Sequence, residues 1–354
     1  MDTRIPKLLA TLALFCACAG SPHDESKWVM PGPGPIHVQS IVQANSKCEG
    51  CHRDIAKEWQ SSRHHLAATN PQYRAAYVIE PFAFCQACHA PGANNGETVG
   101  PLAELGVGCL SCHPSIGGAT LTGTSHHPLI SLSHAVVRSN AYSLAGACAS
   151  CHEFEFPAQG RDAVAFMQRT VSEHANSPFA KTACADCHMP RVGSFGRRHR
   201  SHAFAGTRDP VQLRNAMRIE VTRREQTLEF SMTLNHVGHA FPTGDLFRRL
   251  TVEARARDAV GVVKSLRRRY LSRHFARQHQ GHGGMALVEV DDDRPGLECL
   301  QDACTIRTIL DLGVTARNLP FEFNVAYERV QHLTRGSEDL AEVAERVILK
   351  EGKR

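Results

Sequence analysis

Large aromatic side chains are scarce in this chain: Phe, Trp and Tyr make up 6% of 354 residues, with only 2 Trp and 5 Tyr. The first half also has few large apolar side chains for its length, so a core there needs material that the polypeptide does not supply. Nowhere is there an apolar run long enough to cross a bilayer as a mature helix, so any membrane link is an anchor. The charge excess is mild, +5 with neutral His, and rules out no class of partner. No helix-turn-helix, zinc-finger or RNA-binding signature is present, which argues against nucleic acid as a partner. Hydrophobic residues at 42% nevertheless mark a globular chain, long enough for two domains.

What the chain does have is one pattern five times. Cys48-Glu-Gly-Cys51-His52, Cys85-Gln-Ala-Cys88-His89, Cys109-Leu-Ser-Cys112-His113, Cys148-Ala-Ser-Cys151-His152 and Cys184-Ala-Asp-Cys187-His188 all read Cys-x-x-Cys-His. Two thiols three positions apart add across the two vinyl groups of a haem, and the adjacent His reaches the iron. Zinc uses such pairs two at a time, or one pair with two distant His. An odd number of pairs, each with His directly after the second Cys, fits zinc poorly. The pattern therefore implies five covalently attached haem c groups, with His52, His89, His113, His152 and His188 as proximal ligands.

Ten of the 14 Cys belong to these motifs. Cys16 and Cys18 lie in the first 19 residues, which read as an export signal: Arg4 and Lys7, an apolar run from Leu8 to Phe15, then the small-residue site Ala17-Cys18-Ala19. Cys18 is open to two readings, part of a cleavage site or a lipidated N-terminus. The last pair, Cys299 and Cys304, is expected to form a disulfide in the oxidising space where haem is attached.

Residues 20–46 read as a tether, since Met30-Pro-Gly-Pro-Gly-Pro35 cannot make helix or central strand. A haem domain over 47–206 should hold short helices punctuated by the attachment sites. From 214 to 354 the pattern changes to alternation. Met217–Val221, Leu228–Leu234, Leu250–Ala254, Ala286–Val290, Thr305–Ile309 and Phe321–Tyr327 each place polar residues on alternate positions. Strands at this spacing predict a β-sandwich. Leu340, Val343, Ala344, Val347 and Ile348 follow helical spacing after Ser337, which predicts a closing amphipathic helix.

A haem iron has two axial positions, and the motif fills one. What fills the other separates an electron carrier from a catalyst, because an open position binds substrate. Of 21 His, 16 are not proximal, while Met is scarce and badly placed, so the supply favours bis-His haems. One of His64 and His65 is a candidate. His126, His127 and His134 form a second cluster, with His134 in its more helical segment. His174 precedes the fifth motif, and His199 and His202 follow it. His239, in Gly238-His-Ala-Phe-Pro-Thr-Gly244, either turns toward the haem domain or only closes a turn. His274, His279 and His282 could bind a soft transition metal but read better as a mobile polar loop.

Trp59-x-x-Ser62-x-His64, Cys184-Ala-Asp-Cys-His-Met-Pro190 and the Gly238–Gly244 turn together resemble the extracytoplasmic multihaem cytochromes c. That group includes the tetrahaem electron carriers of ammonia oxidisers. The resemblance covers about residues 47–250; the fifth motif and the C-terminal β half depart from the tetrahaem carriers. It implies closely packed, mostly bis-His haems and supports His64, His174, His202 and His239 as distal ligands; His134 completes the expected set. The expected fold is a mainly α, irregular haem-packed domain followed by a β-sandwich-like domain with a C-terminal helix. The expected function is periplasmic or surface-anchored electron transfer between redox partner proteins. One alternative is an oxidoreductase with one open haem acting on a small nitrogen or sulfur species. The chain lacks Cys-x-x-Cys-Lys, which nitrite reductases of similar type use at their active haem. A third reading makes the β half a partner-docking module wired by the haems.

Overall fold

A computed structural model describes residues 38–79, 81–93, 100–116, 119–123, 134–155, 166–194, 198–206, 209–279, 285–296, 305–331 and 337–354. The leader with Cys18, the Pro-Gly run, His126, His127, His282 and the Cys299/Cys304 pair lie outside them. Among the described residues no helix is long and apolar enough to cross a membrane.

The first half is a set of short helices: α1 (Val38–Cys51), α2 (Arg53–Gln60), α3 (Pro71–Ile79), α4 (Ala83–His89), α5 (Pro101–Leu105), α6 (Cys109–Cys112), α7 (Gly146–His152), α8 (Thr170–Ala175) and α9 (Cys184–His188). Helix α1 begins inside the stretch expected to be a tether. Between the helices lie small sheets of β1 (Ser115–Ile116), β2 (Ala119–Gly123) and β3 (Val136–Ser139), of β4 (Glu153–Glu155) with β5 (Phe166–Arg169), and of β6 (Arg191–Val192) with β7 (His199–Arg200). Buried apolar side chains here are few and scattered, among them Ile41, Trp59, Tyr77, Leu102 and Val107. None of them joins a large contiguous cluster; those clusters belong almost wholly to the second half.

After α10 (Pro210–Asn215), capped by Asp209 through its side-chain bonds to Val211 N and Gln212 N, the chain turns to strands. They are β8 (Met217–Arg224), β9 (Thr227–Leu234), β10 (Arg248–Arg257), β11 (Val263–His279), β12 (Met285–Asp292), β13 (Thr305–Asp311), β14 (Phe321–Val330) and β15 (Val343–Lys353). A five-stranded antiparallel sheet runs β12-β11-β10-β14-β15, and a three-stranded one runs β13-β9-β8. The two share one core. Leu228, Phe230 and Met232 on β9 alternate inward to meet Leu250, Val252, Phe321, Phe323 and Val325 from the other sheet.

Two expectations for this half are corrected. The closing helix is strand β15, paired along the edge of β14. Register shifts at Val325/Ala326 and Arg329/Val330 mark bulges, and such breaks turn a two-residue alternation into a spacing that reads as helical. Only a 3₁₀ turn, Glu338–Leu340, follows Ser337. His274 and His279 sit not in a loop but in β11, where long polar side chains cover the outer sheet face. His274 Nε2 bonds Asp293 Oδ1 at 2.9 Å, and among the described residues no His/Cys/Asp/Glu group is arranged to hold a metal ion by itself.

Candidate haem centre

Each attachment motif occupies one helical turn. Positions i and i+3 of a helix lie on the same face, so both thiols point one way and the following His continues that face. The turn closes through His52 N to Cys48 O and His113 N to Cys109 O, both 2.8 Å. Thus Cys48 and Cys51, Cys85 and Cys88, Cys109 and Cys112, Cys148 and Cys151, and Cys184 and Cys187 each form a two-thiol platform with His at its C-terminal end.

The platforms lie against one another. Thiols of different motifs lie near one another: Cys48 near Cys109, Cys88 near Cys151, Cys148 near Cys184, and Cys112 near Cys151. Motifs one and three are therefore neighbours, three adjoins four, and four touches both two and five. The fourth motif is the junction.

Three of the proximal rings share one orientation device. His89 Nδ1 donates to Ala67 O at 3.0 Å, His188 Nδ1 to Ala205 O at 2.8 Å and His152 Nδ1 to Gln168 Oε1 at 3.2 Å, while Tyr142 stacks on His113. A ring that donates from Nδ1 carries its lone pair on Nε2, the atom turned to a metal.

Four of these rings face a second histidine. The ring centroids of His52 and His134, His113 and His202, and His188 and His239 are 6.2 Å apart, and those of His152 and His64 are 6.3 Å apart. Metal–imidazole nitrogen bonds are about 2 Å long, so two imidazoles across one ion place their centroids about 6 Å apart. The common separation fits one iron between each pair. Interplanar angles run from 12° for His188/His239 to 88° for His64/His152. Burial also suits the role: it lowers the pKa of His152 and His202, that of His64 to about 3 and that of His239 to about 4. A ligand must present a neutral ring nitrogen.

Local sequence explains how the second rings are held. Trp59 donates from Nε1 to Val107 O at 2.8 Å, and the Ser62 hydroxyl accepts from His65 N. Gly106, at φ +60°, presses so closely on the chain that a Cβ there would lie 2.2 Å from His65 O and 2.6 Å from His64 O. Val107 N then bonds His64 O. This separates the two candidates: His64 faces His152, while His65 tilts against Trp59 at 4.3 Å. Glu58 on α2 receives His199 Nε2 at 3.1 Å and His202 N at 2.8 Å, anchoring the loop of His202. His134 and His202 donate from Nδ1 to Ala135 O and Arg200 O. His239 comes from the β half, in the loop between β9 and β10, and donates to Ala240 O at 2.8 Å.

His174 is not brought opposite a motif histidine. It packs beside Gly238, under the loop that carries His239. The second motif is the exception among the five: Tyr73 lies on the His89 ring with centroids 3.9 Å apart and planes 10° apart, and among the described residues no histidine faces it. Sequence reasoning did not single out Tyr73 or Glu58, and a lone Tyr or Glu gives no signal. The paired glycines of Gly106-Val-Gly108 were a usable one.

Residues 47–114 match the family described as "Cytochrome c554 and c-prime". The fold resembles a crystal structure of a penta-heme cytochrome c552 from Thermochromatium tepidum, with a TM-score of 0.61 and 19% identity over 89% of this chain and 98% of that one. No curated protein matches the chain.

Proposed function

We infer that this chain, a multihaem c-type cytochrome with a C-terminal β domain, carries electrons between redox partner proteins through five covalently attached haem c groups. Four of the haems are bis-His in this reading, with the pairs His52/His134, His64/His152, His113/His202 and His188/His239. The observation that carries it is the common 6.2–6.3 Å separation of those four pairs. The haem supplies the one-electron chemistry. The chain attaches it through paired thiols, orients the axial imidazoles and packs the sites together.

The nearness of thiols from different motifs supports a route along motifs one, three and four, branching to two and five. Docking of partners would be brief and over small areas, as is usual for redox encounters. Covalent haem attachment and the leader-like pattern of residues 1–19 support a place on the outer side of the inner membrane. Cys18 remains the candidate lipid anchor. In this reading the β half is part of the haem protein itself, because it supplies His239.

Low-temperature EPR of the oxidised, haem-loaded protein, integrated against haem content, tests the ligation. Four low-spin equivalents are expected. High-spin signals from several haems would overturn it.

One observation favours a second reading. Because no histidine among the described residues faces His89, the second haem is a site where a small nitrogen or sulfur species could bind. Sustained reduction or oxidation of nitrite or hydroxylamine by the loaded protein would replace the carrier reading with this one. Ligand binding without turnover would leave the carrier reading standing.

A further inference from the structure

The loop Gly238–Gly244 that carries His239 is gripped from two sides. Its floor is the haem half: a Cβ at Gly238 would lie 2.9 Å from Phe179 Cβ and 3.2 Å from His174 Cδ2. Its roof is Gly296, at φ +105°, where a Cβ would lie 3.1 Å from His239 O. Between them runs a buried polar network. Glu173 on α8 accepts from Thr243 Oγ1 at 2.6 Å through one carboxylate oxygen and from Arg294 Nη2 at 2.6 Å through the other. Arg294 turns back to the loop and donates from Nη1 to Pro242 O at 2.8 Å, while Asp292 holds its Nε at 2.9 Å. Thr170 Oγ1 and Thr243 Oγ1 are 2.9 Å apart, and Phe241 N donates to Pro295 O.

Glu173 and Arg294 are almost fully buried, their side chains 5% and 3% exposed. A buried ion pair of this kind is weak evidence for net stability, because desolvation offsets much of its attraction. It does fix geometry. Every bond just described ends on a residue two to four positions from His239 or on the partner of such a residue. The ring so placed stands 6.2 Å from His188 with planes 12° apart, the most nearly parallel of the four facing pairs.

We propose that Glu173 and Arg294 are positioning residues for the fifth haem, clamping the Pro242-Thr243 turn of the β half to α8 so that His239 meets the iron held by His188. Neither touches the iron. The clamp makes the ligation and the potential of this one haem depend on how the two halves are docked. The inference rests on the reading of His239 as a distal ligand.

The test uses the full-length, haem-loaded protein and three variants: Glu173→Ala, Thr243→Val and His239→Ala. Thr243→Val removes only the hydroxyl and keeps the shape, so it remains readable if Glu173→Ala fails to accumulate. Each is read by EPR spin state and by redox titration, with thermal unfolding alongside. His239→Ala should convert one haem equivalent to high spin. Glu173→Ala and Thr243→Val should convert part of the same equivalent and move one reduction potential, leaving the other haems unchanged. If His239→Ala alters the fifth haem but Thr243→Val and any Glu173→Ala protein lower only the melting temperature, the clamp is ordinary domain packing and the proposal fails. If His239→Ala leaves every haem low-spin, the ligand reading itself fails and the proposal with it.

Discussion

Tyr73 lies flat on His89, ring centroids 3.9 Å apart and planes 10° apart, at the one attachment motif that no described histidine faces. The phenol covers the face of the imidazole, and Ala67 O holds its Nδ1, so ring rotation is blocked from two directions. An aromatic pair of this kind contributes about 1 kcal/mol beyond its buried area. Tyr73→Leu should therefore lower the stability of the loaded protein by about 1 kcal/mol, read by denaturant unfolding. The optical and EPR signature of one haem should broaden as its proximal ring gains freedom. An unchanged signature would show that Ala67 O alone fixes the ring.

His64 and His65 are neighbours in sequence with different duties. His64→Ala should turn one haem high-spin, whereas His65→Ala should leave all spin states as they are, because His65 packs on Trp59. EPR of the two variants side by side decides it, and the reverse outcome would exchange their roles.

Gly106 combines a left-handed backbone, φ +60°, with contact against two carbonyl oxygens. A residue with a Cβ pays for that conformation and for the collision, so Gly106→Ala should cost at least about 2 kcal/mol. Because the displaced carbonyls belong to His64 and His65, the variant should also perturb the haem of the fourth motif. Unfolding curves and EPR on the same sample check both effects.

His274, on β11 with Asp293 as its partner, offers a pH test. Its hydrogen bond from Nε2 to Asp293 raises its pKa above the usual 6.5, with Asp291 and Glu338 adding to the effect against a burial penalty. A pKa higher in the folded than in the unfolded chain stabilises the fold fully below pH 6.5, and the gain is lost as pH rises through the raised value. His274→Gln should thus be less stable than the parent at acid pH, the gap narrowing toward alkaline pH. Melting temperatures of both proteins across that range give the answer, and a constant gap would mean a packing role only.

The attachment sites could be read from sequence because a covalent chemistry dictates them: two thiols and an imidazole within five residues leave no choice of spacing. The strands with clean alternation were equally legible, since Leu228, Phe230 and Met232 must face one way to be buried. Strand β15 was not, because the bulges opposite Val325 and Arg329 break the alternation on which such readings depend. Nor was β11, whose Arg267–Arg269 run carries charge on both faces and gives no period at all. Which histidine faces which motif was out of reach for a different reason. His134 meets the first motif, His64 the fourth, His202 the third and His239 the fifth, a pattern set by tertiary folding and not by proximity along the chain. Single candidates could be named, but their partners could not. The fate of His174, displaced to a supporting place beside Gly238, follows from the same limit.

The position of His239 also sets an order of assembly. The chain up to Pro210 already contains both members of three facing pairs, His52/His134, His64/His152 and His113/His202. The fourth pair must wait until the loop at Gly238 has appeared and Arg294 and Gly296 have followed it. In the bis-His reading, three centres can be completed by residues before Pro210, and the one at His188 needs the β half folded onto α8.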